Sequence, residues 1–377
     1  MVYPAVYVEA VGTYAAFYNN NAHRRAVSIV YKTIIRPILF QFSAEQAHKL
    51  AEYVLSISPA WALVTPFIGN SDDRMRTTVA GLSLPNPVGL AAGLDKNCVG
   101  LSSLLYVGFG FVVGGTVTLA ARSGNPKPRL LREPIQESLT NSLGFPGSGL
   151  EVVAHGLRKH RRLKSRIIVS VAGDIESEFV DIVSRLGPYV AAMEINVSSP
   201  NTAGLKVFQQ PSRLSRLVEE LVQVSDVPLL VKLPPWEGST KSELNALGLA
   251  EAAISGGAKG LIIANTRPVN DVRLAVGKGG LSGRPLFTHT LRMVQDTVAA
   301  LGRETSIVAC GGVFNAEDAW RLIASGAAAI ELYTSFIYEG PWLPRSINKG
   351  LIEMLDSSGV NSILDLRFSG TEPPTVK

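Results

Sequence analysis

Apolar residues follow two rhythms along most of this chain. Eight short, nearly unbroken apolar runs stand at Pro87–Ala92, Phe109–Val117, Ile167–Ala172, Ala191–Val197, Val227–Leu233, Gly260–Asn265, Ser306–Cys310 and Ala328–Tyr333. Runs of that length, rich in β-branched residues, fit strands covered on both faces, as in a parallel sheet. Between several of them the spacing lengthens to three or four residues, and Glu176–Leu186, Pro211–Val224 and Ala316–Ala324 predict amphipathic helices. Asn315 stands where the last of these needs an N-cap, and Gly326 where it must stop. Eight strand-then-helix units in order predict an α/β fold closed as a (β/α)₈ TIM barrel. A doubly wound open sheet shares the local pattern but needs a reversal of strand order that a sequence does not display.

The first 75 residues stand outside this alternation and predict a small N-terminal helical cap (1–75) on a barrel domain (76–377). Ser43-Ala-Glu-Gln46 is a capping box opening a helix over Ala44–Ile57, and Ala26–Leu39 reads as another helix with Pro37 near its end. Both carry apolar residues (Ile34, Ile35, Ile38, Leu39, Leu50, Val54) beside Lys32, Arg36 and Lys49. Two readings fit: a cap packed on the barrel, or an apolar pair edged by cations that lies against an anionic bilayer. Leu50–Gly69 contains Glu52, Pro59 and Pro66 and does not read as a membrane-spanning helix. No basic segment followed by an apolar core opens the chain, so no signal peptide is expected.

At 377 residues, 46% hydrophobic and 18% charged, the chain can bury a large core and is not expected to be disordered. The net charge of +5 favours anionic partners without choosing among nucleic acid, lipid and small ligands. Two cysteines, Cys98 and Cys310, exclude a disulfide framework.

In a barrel, functional groups gather at the C-terminal ends of the strands. Those ends read Ala91-Ala-Gly-Leu-Asp-Lys-Asn97, Gly114-Gly-Thr116, Ser170-Val-Ala-Gly173, Asn196-Val-Ser-Ser-Pro-Asn-Thr202, Lys232, Asn265-Thr266, Gly311-Gly312 and Tyr333-Thr334, with Asn141 in the long loop after the second strand. No histidine and no paired carboxylates are expected among them, which argues against a Ser-His-Asp nucleophile and a His-based metal site. Lysines, asparagines and hydroxyls suit a flat, amide-rich heterocycle, because an asparagine can donate to a ring carbonyl and accept from a ring N–H. Gly311-Gly312 before a helix fits a phosphate site, although such glycines also simply make tight turns.

Read as motifs, these segments resemble the dihydroorotate dehydrogenase family, and within it the quinone-using class 2. The match is carried by AAGLDKN (91–97), GNPKPRLLR (124–132), NSLGF (141–145), EINVSSPNTAGL (194–205), VKLPP (231–235), GLIIANT (260–266), GGLSGRPL (279–286), CGGV (310–313) and ELYTSFIYEGP (331–341). The resemblance implies oxidation of dihydroorotate to orotate in UMP biosynthesis, with hydride passing to FMN and electrons to a membrane quinone. It implies that Ser199 is the catalytic base, a serine where class 1 carries cysteine, and that Thr202 belongs to its proton path. For FMN it implies Ala92, Gly93, Thr116, Asn141, Ser170, Asn196, Lys232, Ala264, Gly283, Gly312, Tyr333 and Thr334. For the pyrimidine it implies Lys96, Asn141, Ser142, Leu143, Gly144, Phe145, Asn196, Asn201, Asn265 and Thr266. His48, Arg132 and Tyr333 match residues of the quinone tunnel, which turns the cap into a membrane-facing entrance. The expected partners are then a quinone and an anionic membrane surface on the cytoplasmic face of the cell membrane. No metal, nucleic acid or obligate protein partner is expected.

Ser142, Leu143, Pro146, Ser170, Ala264 and Ile337 depart from the class 2 pattern. Alternatives are a soluble enzyme using fumarate, or NAD through a partner; a flavin barrel acting on tRNA uridines; and a non-catalytic phosphate-binding barrel.

Overall fold

Eight parallel strands close on one another in chain order: β1 (Val88–Leu90), β2 (Phe111–Val117), β3 (Ile167–Val171), β4 (Ala192–Asn196), β5 (Leu229–Lys232), β6 (Gly260–Ile263), β7 (Ser306–Cys310) and β8 (Ala329–Leu332), with β8 paired back to β1. The computed structural model describes residues 29–57, 72–198, 203–236 and 240–375. Ser199, Asn201 and Thr202 lie outside these residues, as do 26–28 of the first cap helix. Each expected apolar run contains one barrel strand, so the closed barrel replaces the open-sheet alternative.

The helices follow from the same burial arithmetic. Glu176–Leu186 buries Phe179, Ile182, Val183 and Leu186, and Pro211–Val224 buries Leu214, Leu217, Val218 and Leu221, the i, i+3, i+4, i+7 stripe of a helix lying on a sheet. Each such side chain contributes roughly 1.5–3 kcal/mol on leaving water. Asn315 caps Ala316–Ala324 by accepting the Asp318 N–H at 2.8 Å.

Inside the barrel, Phe111, Val113, Ile168, Leu230, Ile262 and Val308 form a separate apolar cluster. The Phe111 ring fills the space opposite Gly89, where a β-carbon would come within 2.1 Å of it. A hairpin, Thr77–Val79 with Leu82–Leu84, closes the end of the barrel where the strands begin, inserting Val79 and Leu84 into this cluster. Its turn at Ala80–Gly81 has positive φ at both residues, 49° and 83°, the backbone that a two-residue hairpin requires. Ala80 N–H donates to Ser306 Oγ and Thr77 Oγ1 donates to the Ala328 carbonyl, which ties the hairpin to the first turns of β7 and β8.

A four-stranded antiparallel sheet, not anticipated from the sequence, is built from the loops after β2 and β6: Leu130–Glu133, Ser138–Asn141, Lys278–Gly283 and Arg267–Asn270. It moves Asn141 from an expected loop to the end of a strand, opposite Leu130 and Gly280.

The first cap helix is a helical run over 29–41, with π-helical turns at Tyr31–Ile35 just before Pro37. Proline has no N–H to give to the preceding turn, and the widened turn accommodates this. The Ser43–Gln46 capping box forms, and the second helix spans Ala44–Ser56. Neither helix has a buried residue. The cap is held to the barrel largely by polar contacts to main-chain carbonyls. Tyr31 Oη donates to Ile337 O at 2.7 Å, Arg36 to Tyr338 O at 3.0 Å and Ser103 Oγ to Leu55 O at 2.6 Å. Arg132 reaches the carbonyls of Leu39, Phe40 and Phe42. Lys32 pairs with Glu339 at 2.5 Å. This corrects one expectation, since Lys32 and Arg36 are engaged by the barrel instead of edging the apolar face.

Candidate active site

The alternation of β4 points Glu194 and Asn196 to the same side, into the upper barrel. Register then sets Ser170 beside Glu194, and Lys232 beside Asn196. A continuous hydrogen-bond chain results. Ser170 Oγ donates to Glu194 Oε1 at 2.6 Å and lies 2.9 Å from Thr116 Oγ1. Asn196 Nδ2 donates to Thr116 Oγ1 at 3.1 Å. Asn265 Nδ2 donates to Ser198 Oγ at 3.0 Å and reaches Asn196 Oδ1 at 3.4 Å, while Asn265 Oδ1 accepts the Thr266 N–H at 2.8 Å. The carboxamides are thereby fixed in orientation.

At the inner end of this chain the Lys232 ammonium lies 3.5 Å from Glu194 Oε2 and 3.5 Å from Glu331 Oε2. All three side chains are buried. Burial alone would push Lys232 down, but its acidic neighbours, Glu194 first and then Cys310 and Glu331, outweigh it and hold the ammonium well above the ordinary lysine range. Burial pushes the Glu331 carboxyl up to about 7 despite Lys232 beside it, and Glu194 adds to the rise. Burial pushes the Cys310 thiol up to about 12. The strand-end positions do not include Glu194 and Glu331, which sit within the strands and flank Lys232.

The β1 loop is built around Asp95, whose carboxylate accepts the N–H groups of Val99 and Gly100 at 2.9 and 2.8 Å. That geometry presents Lys96 toward the cap. Lys96 Nζ lies 2.9 Å from His48 Nε2, and the same nitrogen lies 3.1 Å from Glu52 Oε1. Nε2 serves one partner at a time, accepting from the ammonium or donating to the carboxylate. Burial pushes Lys96 down from its usual range.

One cavity with an empty volume of about 1190 Å³, part of it open to solvent, gathers these groups at the strand C-termini. At one end its wall is glycine backbone. A β-carbon on Gly312 would lie 2.3 Å from the N of Phe287, the first residue of the Phe287–Leu301 helix, and one on Gly283 would lie 2.3 Å from Glu137 O. Bare backbone at a helix N-terminus suits a phosphate group.

Most residues expected at the site line this cavity: Ala92, Gly93, Lys96, Thr116, Asn141, Leu143, Gly144, Phe145, Asn196, Lys232, Ala264, Asn265, Thr266, Gly283, Gly312, Tyr333 and Thr334. Ser170 and Ser142 do not. Ser170 supports the wall from behind through Thr116 and Glu194, and Ser142 is held by its main chain, its N–H on Arg129 O and its carbonyl on Asn125 Nδ2. His48 and Arg132 also stand off the lining. His48 contacts it through Lys96. The Arg132 guanidinium stacks 4.4 Å over Phe40, which packs with Tyr333 in a small apolar cluster around Leu139, Phe314 and Tyr338.

The dihydroorotate dehydrogenase family profile matches residues 74–355. The chain belongs to this family. Dihydroorotate dehydrogenase (quinone) of Deinococcus deserti is 35% identical over 358 residues, covering 89% of this chain and 98% of the relative. The Chloroflexus aurantiacus protein of the same name is 36% identical, covering 87% and 98%. Among solved structures, the DHODH of Eimeria tenella in complex with ferulenol is similar with a TM-score of 0.76 and 29% identity, covering 87% of this chain and 95% of that one. Against this family background, Asp95, Glu194 and Glu331 are site residues that the motifs contained but that received no expected role. The available signal was inward alternation: Glu194 lies two residues before Asn196 on an otherwise apolar strand.

Proposed function

We propose that this chain oxidises (S)-dihydroorotate to orotate in UMP biosynthesis, holding FMN as cofactor and passing the electrons to a membrane quinone. One observation carries the reading: a single cavity joins a glycine-walled end, an amide wall of Asn141, Asn196 and Asn265, and the buried Lys232. The residues fit FMN in kind. Gly283, Gly311 and Gly312 bring main chain to the cavity wall, where it suits a phosphate, and Asn196 and Lys232 offer donors to a polar ring. Bound there, the flavin supplies the hydride acceptor.

The chain's own residues do the rest. Asn196 and Asn265, already oriented by Ser198, Thr116 and Thr266, present amide edges to a pyrimidine. Ser199 is the base for the proton at C5. A serine hydroxyl is a weak base, so it needs both a proton path and a substrate acidified by binding. Ser142 and Ser170 act as supports, and Asn201 completes the pyrimidine set. Residues 1–75 form the quinone entrance and 76–377 the catalytic barrel, with Tyr333 at their junction. Among the described residues no helix is long and apolar enough to cross a membrane. The exposed Ile29, Val30, Ile34, Ile35, Ile38, Leu50 and Tyr53 favour peripheral seating on a membrane, for which we propose the cytoplasmic face.

The test is direct. Purified protein carries one FMN per chain and bleaches when dihydroorotate is added without oxygen. Ser199→Ala slows that bleaching by about 10²-fold or more, the usual loss for a general base, with FMN retained. A protein that binds no FMN on reconstitution overturns the reading.

A further inference from the structure

The buried group around Lys232 contains one negative charge more than its cation can balance. Glu194 Oε1 accepts from Ser170 at 2.6 Å, and its buried Oε2 makes no hydrogen bond but faces the ammonium at 3.5 Å. Glu331 Oε2 accepts from Lys232 at 3.5 Å with the Cys310 thiol also beside the carboxyl, while its buried Oε1 has no hydrogen-bond partner among the described residues and, unlike Glu194 Oε2, no ion-pair contact with the ammonium. An uncompensated buried carboxylate is expensive, and a proton on the free oxygen removes the expense. Glu331 also differs in position, because Lys232, Cys310 and Glu331 line the cavity and Glu194 lies behind it.

We propose that Glu331 is a redox-linked proton acceptor: it takes up one proton when the flavin bound in this cavity is reduced. The inference rests on the flavin reading above. Two electrons added to a ring in the cavity place negative charge beside the cluster, and nearby negative charge raises a carboxylate's proton affinity. The titratable groups facing Glu331 are Lys232 from β5, Glu194 from β4 and Cys310 from β7. Lys232 stays cationic and Cys310 stays a thiol at neutral pH, so Glu331 is the member poised to change, its carboxyl lying at about 7. In balance, the ring gains two electrons and whatever proton it takes itself, and Glu331 gains one further proton from solvent.

The experiment is an equilibrium redox titration of the flavin-loaded full chain across roughly pH 5.5 to 9, for wild type and Glu331→Gln. Glutamine imitates the protonated acid. The two midpoint potentials therefore coincide at the acid end, and above about pH 7 the wild type falls below the variant by a further 30 mV or so per pH unit, one proton per two electrons. In parallel, the reduced-minus-oxidised infrared difference spectrum of the wild type above neutral pH gains a protonated-carboxyl band that Glu331→Gln lacks. Parallel potential curves, or no such band in the wild type, overturn the proposal. The infrared arm on the wild type decides the matter even where the variant loses its flavin. A chain that binds no FMN sinks the flavin reading instead, so the two failures are distinct.

Discussion

His160 shows how a single side chain can make the site's scaffold sensitive to acid. Its Nε2 lies 3.0 Å from Cys98 O and its Nδ1 lies 2.6 Å from Ser102 Oγ. A carbonyl only accepts, so Nε2 carries the hydrogen and Nδ1 takes the serine's. This tautomer is neutral, and burial pushes the ring's pKa down. A depressed folded value means stability that is present above the unfolded value of about 6.5 and is lost as pH falls through the folded one. Asp95 has the opposite sign. Burial pushes it up to about 6, so its contribution is full in acid and is lost as pH rises through that value. In urea unfolding, His160→Ala is expected to start roughly 1–3 kcal/mol less stable at pH 8, from the unpaired Ser102 and Cys98 groups. The difference from wild type should then shrink below about pH 6.5; a difference constant with pH would mean that the ring is not held neutral. Residues of this kind were hard to read from sequence. His160 fell in a basic stretch, and Glu194 and Glu331 lay inside strands, where attention to strand ends passes them over. Lys232, Asn196 and Asn265 were legible because they close apolar runs.

At the scale of elements, legibility followed burial periodicity. Glu176–Leu186, Pro211–Val224 and Ala316–Ala324 match their expected bounds, since four or five apolar positions at helical spacing leave no other face to bury. The sheet over the cavity was not anticipated, because segments such as Ser138–Asn141 and Lys278–Gly283 are short, polar or glycine-rich, and take partners some 140 positions away. The hairpin at the opposite end has a measurable role. Leu84→Ala is expected to cost about 2–5 kcal/mol, as truncation in a tight core does. Gly81→Ala should cost only about 1 kcal/mol, because the site is open and only φ is strained. Thermal unfolding checks both, and equal losses would show that the turn's backbone carries more than its packing.

For the whole molecule, the cap and the barrel depend on different physics. Ten large apolar side chains between Ile29 and Ile57 are exposed. Ile34→Asp or Ile38→Asp should lower binding to phospholipid vesicles by tenfold or more, the equivalent of one isoleucine's roughly 1.5–3 kcal/mol of burial. Flavin bleaching by dihydroorotate should be untouched. Lys32→Ala should leave vesicle binding unchanged, since its charge is answered by Glu339, and should cost at most about 1 kcal/mol of stability. A loss of lipid affinity in Lys32→Ala would restore the cation to the membrane face.

The bonds that dock the cap end largely on main-chain oxygens, those of Ile337, Tyr338, Leu39, Phe40 and Leu55. Every amino acid carries the same carbonyl. Substitution at Leu39, Phe40 or Leu55 therefore leaves those acceptors in place, whereas Tyr31, Lys32, Arg36 and Glu45 dock through their own side chains. Much of the cap's outward sequence can in this way change without disturbing the pyrimidine chemistry of the barrel.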